Sequence, residues 1–404
     1  MLTFELTDLA GTVIARFDQH RGGETTIENS ESCLAKVTLS VHDAKAKKAT
    51  PLNTMLRVML DEFPDPVFHG VVLKPSWKSN DNSQVEINAH DQSMWWKRNY
   101  HRYGDASVDY GYNVSGVGLR TLAESAIPLP TQIARGIPTP GLLWGTDDAL
   151  GFKFSLVGGV LVLIDGDGPR PANLKIPVAN EGLWGKSTRG QNVYESIRSL
   201  SDIAGGPEWR MRHVVGLPTG YYAYLDTSRR FGTDKTATVV FHRGHGRVNN
   251  CKDFDWDPDG NAVRNYWVEV FPGGEDNRAD SQKKGLAHSE ASWLAYGIYQ
   301  GWESSGNEDS NAILVAKAKE FVRYYKNPVN YFAFNPLPNA PRYKYDYDIG
   351  DSIRGTCEDG YMSCDLVGRV RKVTLKQPPS EEMVTSLECV PDVLGANQVG
   401  DEGG

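Results

Sequence analysis

Leu52-Asn-Thr-Met-Leu-Arg57-Val-Met-Leu-Asp-Glu62, followed by a short turn region and Gly70-Val-Val-Leu-Lys74, has a counterpart near the other end of the chain. There Ile349-Gly-Asp-Ser-Ile-Arg354-Gly-Thr-Cys-Glu-Asp359 leads through a Gly-containing turn to Gly368-Arg-Val-Arg-Lys372-Val-Thr-Leu375. An apolar residue, a Leu or Ile four positions on, an Arg and a later Gly fall in the same order, over 18 residues in one copy and 19 in the other. Alternating apolar residues, a turn and a Gly are common to antiparallel hairpins in general, so the weight rests on how the two copies continue. After Gly70 come Val71, Val72, Leu73 and Trp77, then Val85, Glu86 and Ile87; after Gly368 come Val370, Val373 and Leu375, then Val384, Thr385, Ser386 and Leu387. A period of two puts one face inward and one toward solvent. Each copy therefore reads as four or more short strands, with polar turns at Asn80-Asp-Asn-Ser83 and Pro378-Pro-Ser-Glu-Glu382. Three chains that each carry one barrel-like module twice present six similar modules around one axis.

Working outward, 404 residues suggest several domains, and 40% hydrophobic content suffices to build buried cores. The 41 glycines, 22 prolines and 10% aromatics suit many short strands joined by turns. No run approaches the roughly 18 to 20 apolar residues a membrane helix needs, and Met1-Leu-Thr-Phe-Glu-Leu-Thr-Asp8 lacks the basic and apolar segments of an export signal. The five cysteines, Cys33, Cys251, Cys357, Cys364 and Cys389, have irregular spacing. Cys357 and Cys364 could face each other across a hairpin, but without a CxxC or Cys/His cluster the expectation is free thiols made in a reducing cytoplasm, with no zinc. A net charge of -8 argues against tight nucleic-acid binding through a basic surface. An acidic lining would let DNA pass without sticking.

The expected organisation is a β-rich α+β chain with five parts. Residues 1–98 form a first β-barrel module, opening with Leu2-Thr-Phe-Glu-Leu6 and a turn at Asp8 to Gly11. Residues 99–235 form an inserted α+β domain. It has a helix over 118–126 stopped by Pro128 and Pro130, a Gly/Pro-rich stretch over 136–151, and a hairpin arm from Val157 to Ile164 turning at Asp165-Gly-Asp-Gly168. A helix over 192–204, with Val193, Ile197, Leu200 and Ile203 on one face, ends at Gly205-Gly206 before strands at Glu208–His213 and Tyr221–Leu225. Residues 236–332 supply strands at Val239–Phe241 and Tyr266–Phe271, a polar linker from about 276, and a helix from Asn311 to Tyr325. Its Ile313, Ala316, Phe321 and Tyr324 suggest docking on a neighbour, and Pro328 marks its end. Residues 333–392 form the second β-barrel module, and 393–404 a small, acidic tail expected to be disordered.

The motifs that resemble catalytic sites fall short. Gly185-Lys186-Ser187-Thr188 precedes a helix, and Val160-Leu-Val-Leu-Ile-Asp165 resembles a Mg²⁺-holding strand. A phosphate loop needs its first glycine five positions before the second, because several backbone amides must converge. That position is Asn180, Trp184 fills the loop, and the Asp strand precedes rather than follows it. Asp253, Asp255, Asp257 and Asp259 with Gly260 suggest a calcium loop, but Tyr266 stands where the bidentate Glu belongs and Pro258 stiffens the segment. A structural turn before a strand is the expectation. His242 and His245 lack identifiable co-ligands and read as a polar strand end. No GxSxG elbow, HExxH helix or catalytic Cys signature occurs. Asp109 with Glu124, or Glu181 with Glu195, could serve a glycosidase, though spacing fixes no separation between them. Trp293, Tyr296, Tyr299 and Trp302 could stack on sugar rings, and a subunit interface is the preferred reading. The expectation is no catalytic, cofactor or metal residue.

The opening L-x-F-x-L-x-D-x-x-G, the passage of helix, Gly-Gly, Glu208 and Trp209, the Ala-rich helix over 311–325 and the closing Gly350-Asp351-Ser-Ile with Gly368-Arg369-Val370 together resemble a phage minor tail protein. More narrowly, the chain resembles the tail-hub proteins of long-tailed siphophages, especially those infecting actinobacteria, which are related in fold to the baseplate hubs of contractile tails and to type VI secretion spikes. The resemblance spans most of residues 1–392. It implies a homotrimer whose two barrel domains per subunit form a pseudo-hexameric ring at the tail tip of the virion. Its implied partners are the distal tail protein or tail tube, the tape measure protein and a downstream minor tail protein or central fibre, with phage DNA passing through the lumen. Many members carry a further C-terminal peptidase, lysozyme or fibre region, whereas this sequence stops shortly after the second module, so a structural role without catalysis is expected. The alternatives are a tail-associated enzyme or binder acting on host-envelope carbohydrate, and a non-phage secretion component with the same ring logic.

Overall fold

The period-two segments pair into one 13-stranded sheet. The computed structural model describes residues 1–78, 83–98, 113–114, 142–147, 153–157, 160–165, 168–170, 186–187, 194–195, 198, 208–215, 223–228, 231–244, 249–271, 283–304, 311–379 and 381–391. The chain begins with β1 (Leu2–Asp8), β2 (Val13–Phe17), β3 (Gly23–Glu28), β4 (Leu34–Ser40), β5 (Thr54–Leu60), β6 (Pro66–Lys78), β7 (Gln84–His90) and helix α1 (Ser93–Arg98). Shorter strands follow: β8 (Asn113–Val114), β9 (Leu142–Asp147), β10 (Lys153–Val157), β11 (Val160–Asp165), β12 (Gly168–Arg170), β13 (Lys186–Ser187), β14 (Glu208–His213) and β15 (Ala223–Ser228). Next come β16 (Val240–Gly244), β17 (Cys251–Asp259), β18 (Tyr266–Phe271), β19 (Lys283–His288), α2 (Glu290–Tyr296), β20 (Gln300–Ser304) and α3 (Asn311–Tyr325). The chain closes with β21 (Val329–Pro336), β22 (Ser352–Asp359), β23 (Met362–Gln377) and β24 (Val384–Pro391). The described architecture is thus dominated by sheet, with few helices.

Two stretches of the large sheet share their pairing in detail. Strand order is β3-β4-β7-β6-β5-β1-β2 in one and β17-β21-β24-β23-β22-β16 in the other, and antiparallel pairing of β23 with β3 joins them. Leu56 stands opposite Gly70, and Ile353 opposite Gly368, with Arg57 and Arg354 the next residues along. The long strand is bulged at the same place in both. Register slips between Val72 and Lys74 in β6 against β7, and between Val370 and Lys372 in β23 against β24, so the extra residue is the third after the glycine each time. Beyond the bulge Pro75 faces Ile87 and Val373 faces Leu387. The difference of one residue in overall spacing falls in the turns, where the first hairpin carries a further bulge between Val58 and Met59. One pairing differs: β1 is antiparallel to β5, whereas β16 is parallel to β22.

Asn250 ties the ends of the second series together. Its backbone N–H donates to His242 O at 3.1 Å. Its Oδ1 accepts from the His242 N–H at 2.6 Å and its Nδ2 donates to Val240 O at 2.8 Å. The start of β17 is thereby held against β16, reducing the unpaired backbone between them.

One apolar cluster runs under both series, from Leu2, Phe4 and Phe17 through Phe68 and Ile87 to Phe241, Phe334, Ile353, Val370 and Leu387. Phe241 and Phe334 rings lie 4.4 Å apart, and Phe254 stacks on Phe332 at 6.0 Å. The outer face of β5 and β6 is covered separately, by Met94 of α1 against Met55 and Val71. Asp91 positions that helix, its carboxylate accepting from the backbone N–H groups of Ser93 and Cys33.

Several expectations need correction. The aspartates at 253–259 lie on strand β17 rather than on a turn: alternation places Phe254 opposite Phe334 and Trp256 opposite Phe332, and sends Asp253, Asp255 and Asp257 to solvent. Pro258 is accommodated near the end of this edge strand. The polar linker from about 276 contains β19, α2 and β20. Helix α3 has the expected bounds, and of the expected docking residues Phe321 stacks on Trp267 at 3.5 Å between centroids, while the side chains of Ile313 and Ala316 lie outside those described; Leu314, Ala318 and Val322 are also buried. The Gly/Pro-rich stretch 136–151 contains strand β9, parallel to β15. Cys357 does face Cys364 across the β22–β23 hairpin, and all five cysteines are free. The helix over 118–126, the turn residues 80–82 and the tail 393–404 lie outside the described residues, as does most of the helix over 192–204, of which Tyr194, Glu195 and Arg198 are helical.

Candidate assembly surface

Strand register gathers charges that sequence alone leaves scattered. Glu5 on β1 faces away from the core residues Phe4 and Leu6, yet it is buried, because Arg16 of β2 and Arg57 of β5 stand on either side of it. Arg16 donates from Nε to Oε1 at 2.9 Å, and Arg57 donates from Nε to Oε2 at 2.8 Å. Each adds a second bond at 2.6 Å. Burial alone would raise the Glu5 carboxyl, but the hydrogen bonds and charges of Arg57 and Arg16 outweigh it and hold the group below its ordinary value. Asp348 is lowered in the same way, Lys344 and Arg210 prevailing over burial. A carboxylate lowered on folding stabilises the fold fully above its ordinary range, and that stabilisation is lost as pH falls through the lowered value. Urea unfolding followed from about pH 6 to about pH 3 should therefore show falling stability, and Glu5→Gln should flatten the fall. An unchanged acid slope in the variant would remove Glu5 from the account.

A second polar cluster ties β14 to the C-terminal strands. Arg369 of β23 makes a paired contact with the Glu208 carboxylate, and also donates to Gly350 O at 2.7 Å and Phe231 O at 2.6 Å. Glu208 in turn accepts from the Phe231 N–H at 2.7 Å. Next to Glu208, Trp209 is fully buried and meets the Tyr194 ring edge-on at 6.2 Å. Asp226 of β15 is buried between Arg212 and Arg210. These paired forks give rigid geometry rather than a reactive group.

The thiols are equally quiet. Burial pushes the Cys251 thiol up to about 12 and moves Cys33 and Cys389 upward too, which disfavours the nucleophilic thiolate.

Open surface is concentrated instead in the unit formed by β18, β19, β20, α2 and α3. It leaves the large sheet at the tip of the β17–β21 hairpin, where Asp259 faces Val329. Strand β18 lies between β19 and β20. Trp267, Glu269 and Ala287 are buried on the side of α3. On the other side Leu286 and Trp302 both stand opposite Val268, and both are exposed. Helix α2 meets this outer face through Trp293, stacked on His288 at 4.6 Å and Tyr266 at 5.9 Å. Of the aromatics singled out in sequence, Tyr296, Tyr299 and Trp302 are exposed and Trp293 is partly covered. Leu286, Leu294 and Ile298 join them in the exposed set, and aliphatics on short polar elements carried no signal in sequence.

The remaining sequence candidates do not assemble. Lys186 and Ser187 lie in a ladder with Val114 and Asn113, which engages backbone that a phosphate loop would leave free. Asp165 faces Gly168 in a hairpin. His242 is buried with Nδ1 2.8 Å from Thr356 Oγ1. His245, Asp109, Glu124, Glu181 and Gly185 lie outside the described residues. Among the described residues no group of three His, Cys, Asp or Glu side chains is placed to hold a metal ion, and no helix is long and apolar enough to cross a membrane.

The chain aligns with solved structures along nearly its full length. A 43 kDa tail protein of prophage MuSo2 from Shewanella oneidensis aligns with a TM-score of 0.57 at 12% identity, over 96% of this chain and 98% of that one. This chain has the fold of phage tail proteins. A tail protein from Neisseria meningitidis MC58 gives a TM-score of 0.56 at 9% identity, over 97% of both chains. The prophage tail protein gp18 from Listeria monocytogenes gives 0.52 at 10% identity, over 96% of this chain and 94% of that one. No protein-family model matches the sequence, and no curated protein matches it either. The likeness lies in the fold, at identities of 9–12%.

Proposed function

We propose that this chain is a structural component of a phage tail, a hub at the tail tip that joins the tube or distal tail protein to the central fibre or a downstream minor tail protein. The observation that carries the reading is the shared register of the hairpins at Gly70 and Gly368, bulged at the same position within a full-length tail-protein fold. Two copies of one barrel-like module per chain allow three chains to present six modules, so a homotrimer becomes pseudo-hexameric and can mate a six-fold tube to a three-fold tip. The first module comprises residues 1–98. The second is drawn from 236–259 together with 329–391, because β16 and β17 pair into the sheet of β21 to β24 and a boundary at 332 would cut β21. Residues 99–235 and 260–328 are then two outlying units.

In this reading the working parts are interfaces, no residue is catalytic, and the lumen passes DNA without sequence-specific binding. The tape measure protein is a further partner in this reading, and the phage a siphophage of actinobacteria. Antibody labelling of intact tails in the electron microscope tests the placement. Label confined to the tip is expected; label along the tube, or none on the particle, would overturn it.

A further inference from the structure

Among the described residues the 13-stranded sheet ends in β17 on one side and β2 on the other, and the two ends are finished differently. Strand β17 sends Asp253, Asp255 and Asp257 to solvent and carries Pro258, which has no N–H to offer, while Asn250 holds its start against β16. Strand β2 reads Val13-Ile-Ala-Arg-Phe17, four apolar residues around one charge, and pairs only with β1. A strand of that composition with a row of unpaired backbone groups is a template for another strand. Two lysines occupy its edge instead. Lys48 Nζ donates to Ile14 O at 2.9 Å and Lys45 Nζ to Arg16 O at 2.6 Å, with Lys45 also reaching Asp18 Oδ2 at 3.2 Å. Lys45 and Lys48 are three apart and flank a single 3₁₀ turn, Ala46–Lys48, whose three residues per turn set them in line. Ile14 and Arg16 are two apart on a strand, so both carbonyls leave β2 on the edge away from β1. The turn is pinned from below, since Ala46 and Ala49 are buried in the main apolar cluster. It is pinned at its start by Asp43, which accepts from the Lys45 N–H at 2.8 Å through Oδ1 and from the Ala46 N–H at 3.0 Å through its carbonyl. A bulge adds to the protection, because Ala15 faces Leu6 and Val13 faces Thr7, leaving Ile14 as an extra residue that breaks the even spacing of the edge.

We propose that Lys45 and Lys48 are an edge guard: they supply to Ile14 and Arg16 the hydrogen-bond donors that a neighbouring strand would supply, and so keep β2 of one copy from pairing with a strand of a second copy. Copies cannot then join at this edge through a continuous backbone ladder. The guard acts whatever the number of chains in the assembly, and does not depend on the ring reading above.

The test is a double substitution in the full chain, Lys45→Met with Lys48→Met, which keeps the aliphatic stems and removes the donors. Lys47→Met is the control for an added apolar side chain, since Lys47 is exposed on a different side of the same turn. Losing two positive charges makes the chain more negative than its -8, which by itself opposes association. The circular dichroism spectrum of both variants should match the wild type. Light scattering up to about 100 μM protein should show the double variant at least doubling in mass as concentration rises, whatever the wild-type mass, while Lys47→Met stays at the wild-type mass. A folded double variant that keeps the wild-type mass overturns the guard, and so does a Lys47→Met variant that grows to the same extent. If the double variant loses its spectrum, Lys48→Met alone is measured against Lys47→Met with the same two readings.

Discussion

Replacing Glu5 with alanine is expected to lower the unfolding free energy by about 3 kcal/mol, the low end for breaking a buried ion pair. The low end applies because Arg16 reaches solvent and can rehydrate, whereas the Arg57 guanidinium is largely enclosed and would be left without its carboxylate. The effect belongs to an uncompensated buried charge rather than to four strong bonds. Exchanging Glu5 for leucine and Arg57 for methionine together should therefore cost much less than Glu5→Ala alone. A urea double-mutant cycle on Glu5 and Arg57 should return a coupling of at least about 1.5 kcal/mol. A coupling near zero would show that the three-strand charge row contributes nothing.

Gly70→Ala is expected to be comparably damaging, at about 3 kcal/mol, and Gly368→Ala somewhat less, at about 2 kcal/mol. A methyl group on Gly70 would run into the backbone carbonyl of His90 as well as the Phe68 ring, and backbone of a paired strand cannot step aside. On Gly368 it would meet the Phe332 ring and, at 3.1 Å, Val390 O. His90 and Val390 occupy matching places, opposite the residue after each glycine. The penalties differ because the partner strand's backbone itself excludes a Cβ at Gly70, whereas at Gly368 a side-chain ring does so and the partner strand is only tight behind it. Gly260 has open space around it, and its alanine variant should stay within about 0.5 kcal/mol of the wild type. If Gly70→Ala unfolded at the same urea concentration as Gly260→Ala, the close approach would not exist in solution.

The paired hairpins were legible in sequence because glycine, arginine and alternating apolar residues recur there in fixed order, and local period suffices to read a strand. The same holds for β14, β18 and α3, whose bounds follow from their own residues. What escaped depended on partners distant in the chain. Strand β17 looked like a cation loop because every second residue is an aspartate, and only the opposing Phe332 and Phe334 reveal what its other face is for. The parallel pairing of β16 with β22 and the joining of β23 to β3 bridge more than a hundred residues and leave no local trace. Glu5 carried no signal, since nothing in sequence aligns it with both Arg16 and Arg57. Within the candidate surface the aromatics of 293–302 stood out by type, whereas β19, with its two lysines and a glycine, shows no alternation strong enough to predict.

These features point one way mechanically. Buried charge rows and the Glu208–Arg369 junction tie distant strands together, and exposed apolar side chains lie in the unit of β18, β19, β20, α2 and α3. In the proposed role, joining six-fold to three-fold symmetry would need rigidity within the chain and adhesion between chains.

The proposed ring has two like modules per chain and three chains. Rotational averaging of electron-microscope images of the purified oligomer, with its mass measured by light scattering, tests both numbers at once. Three copies of the 44.7 kDa chain are expected, in a three-fold ring whose inner density has six similar lobes. A ring of six chains, or a three-chain ring with only three inner lobes, would contradict it.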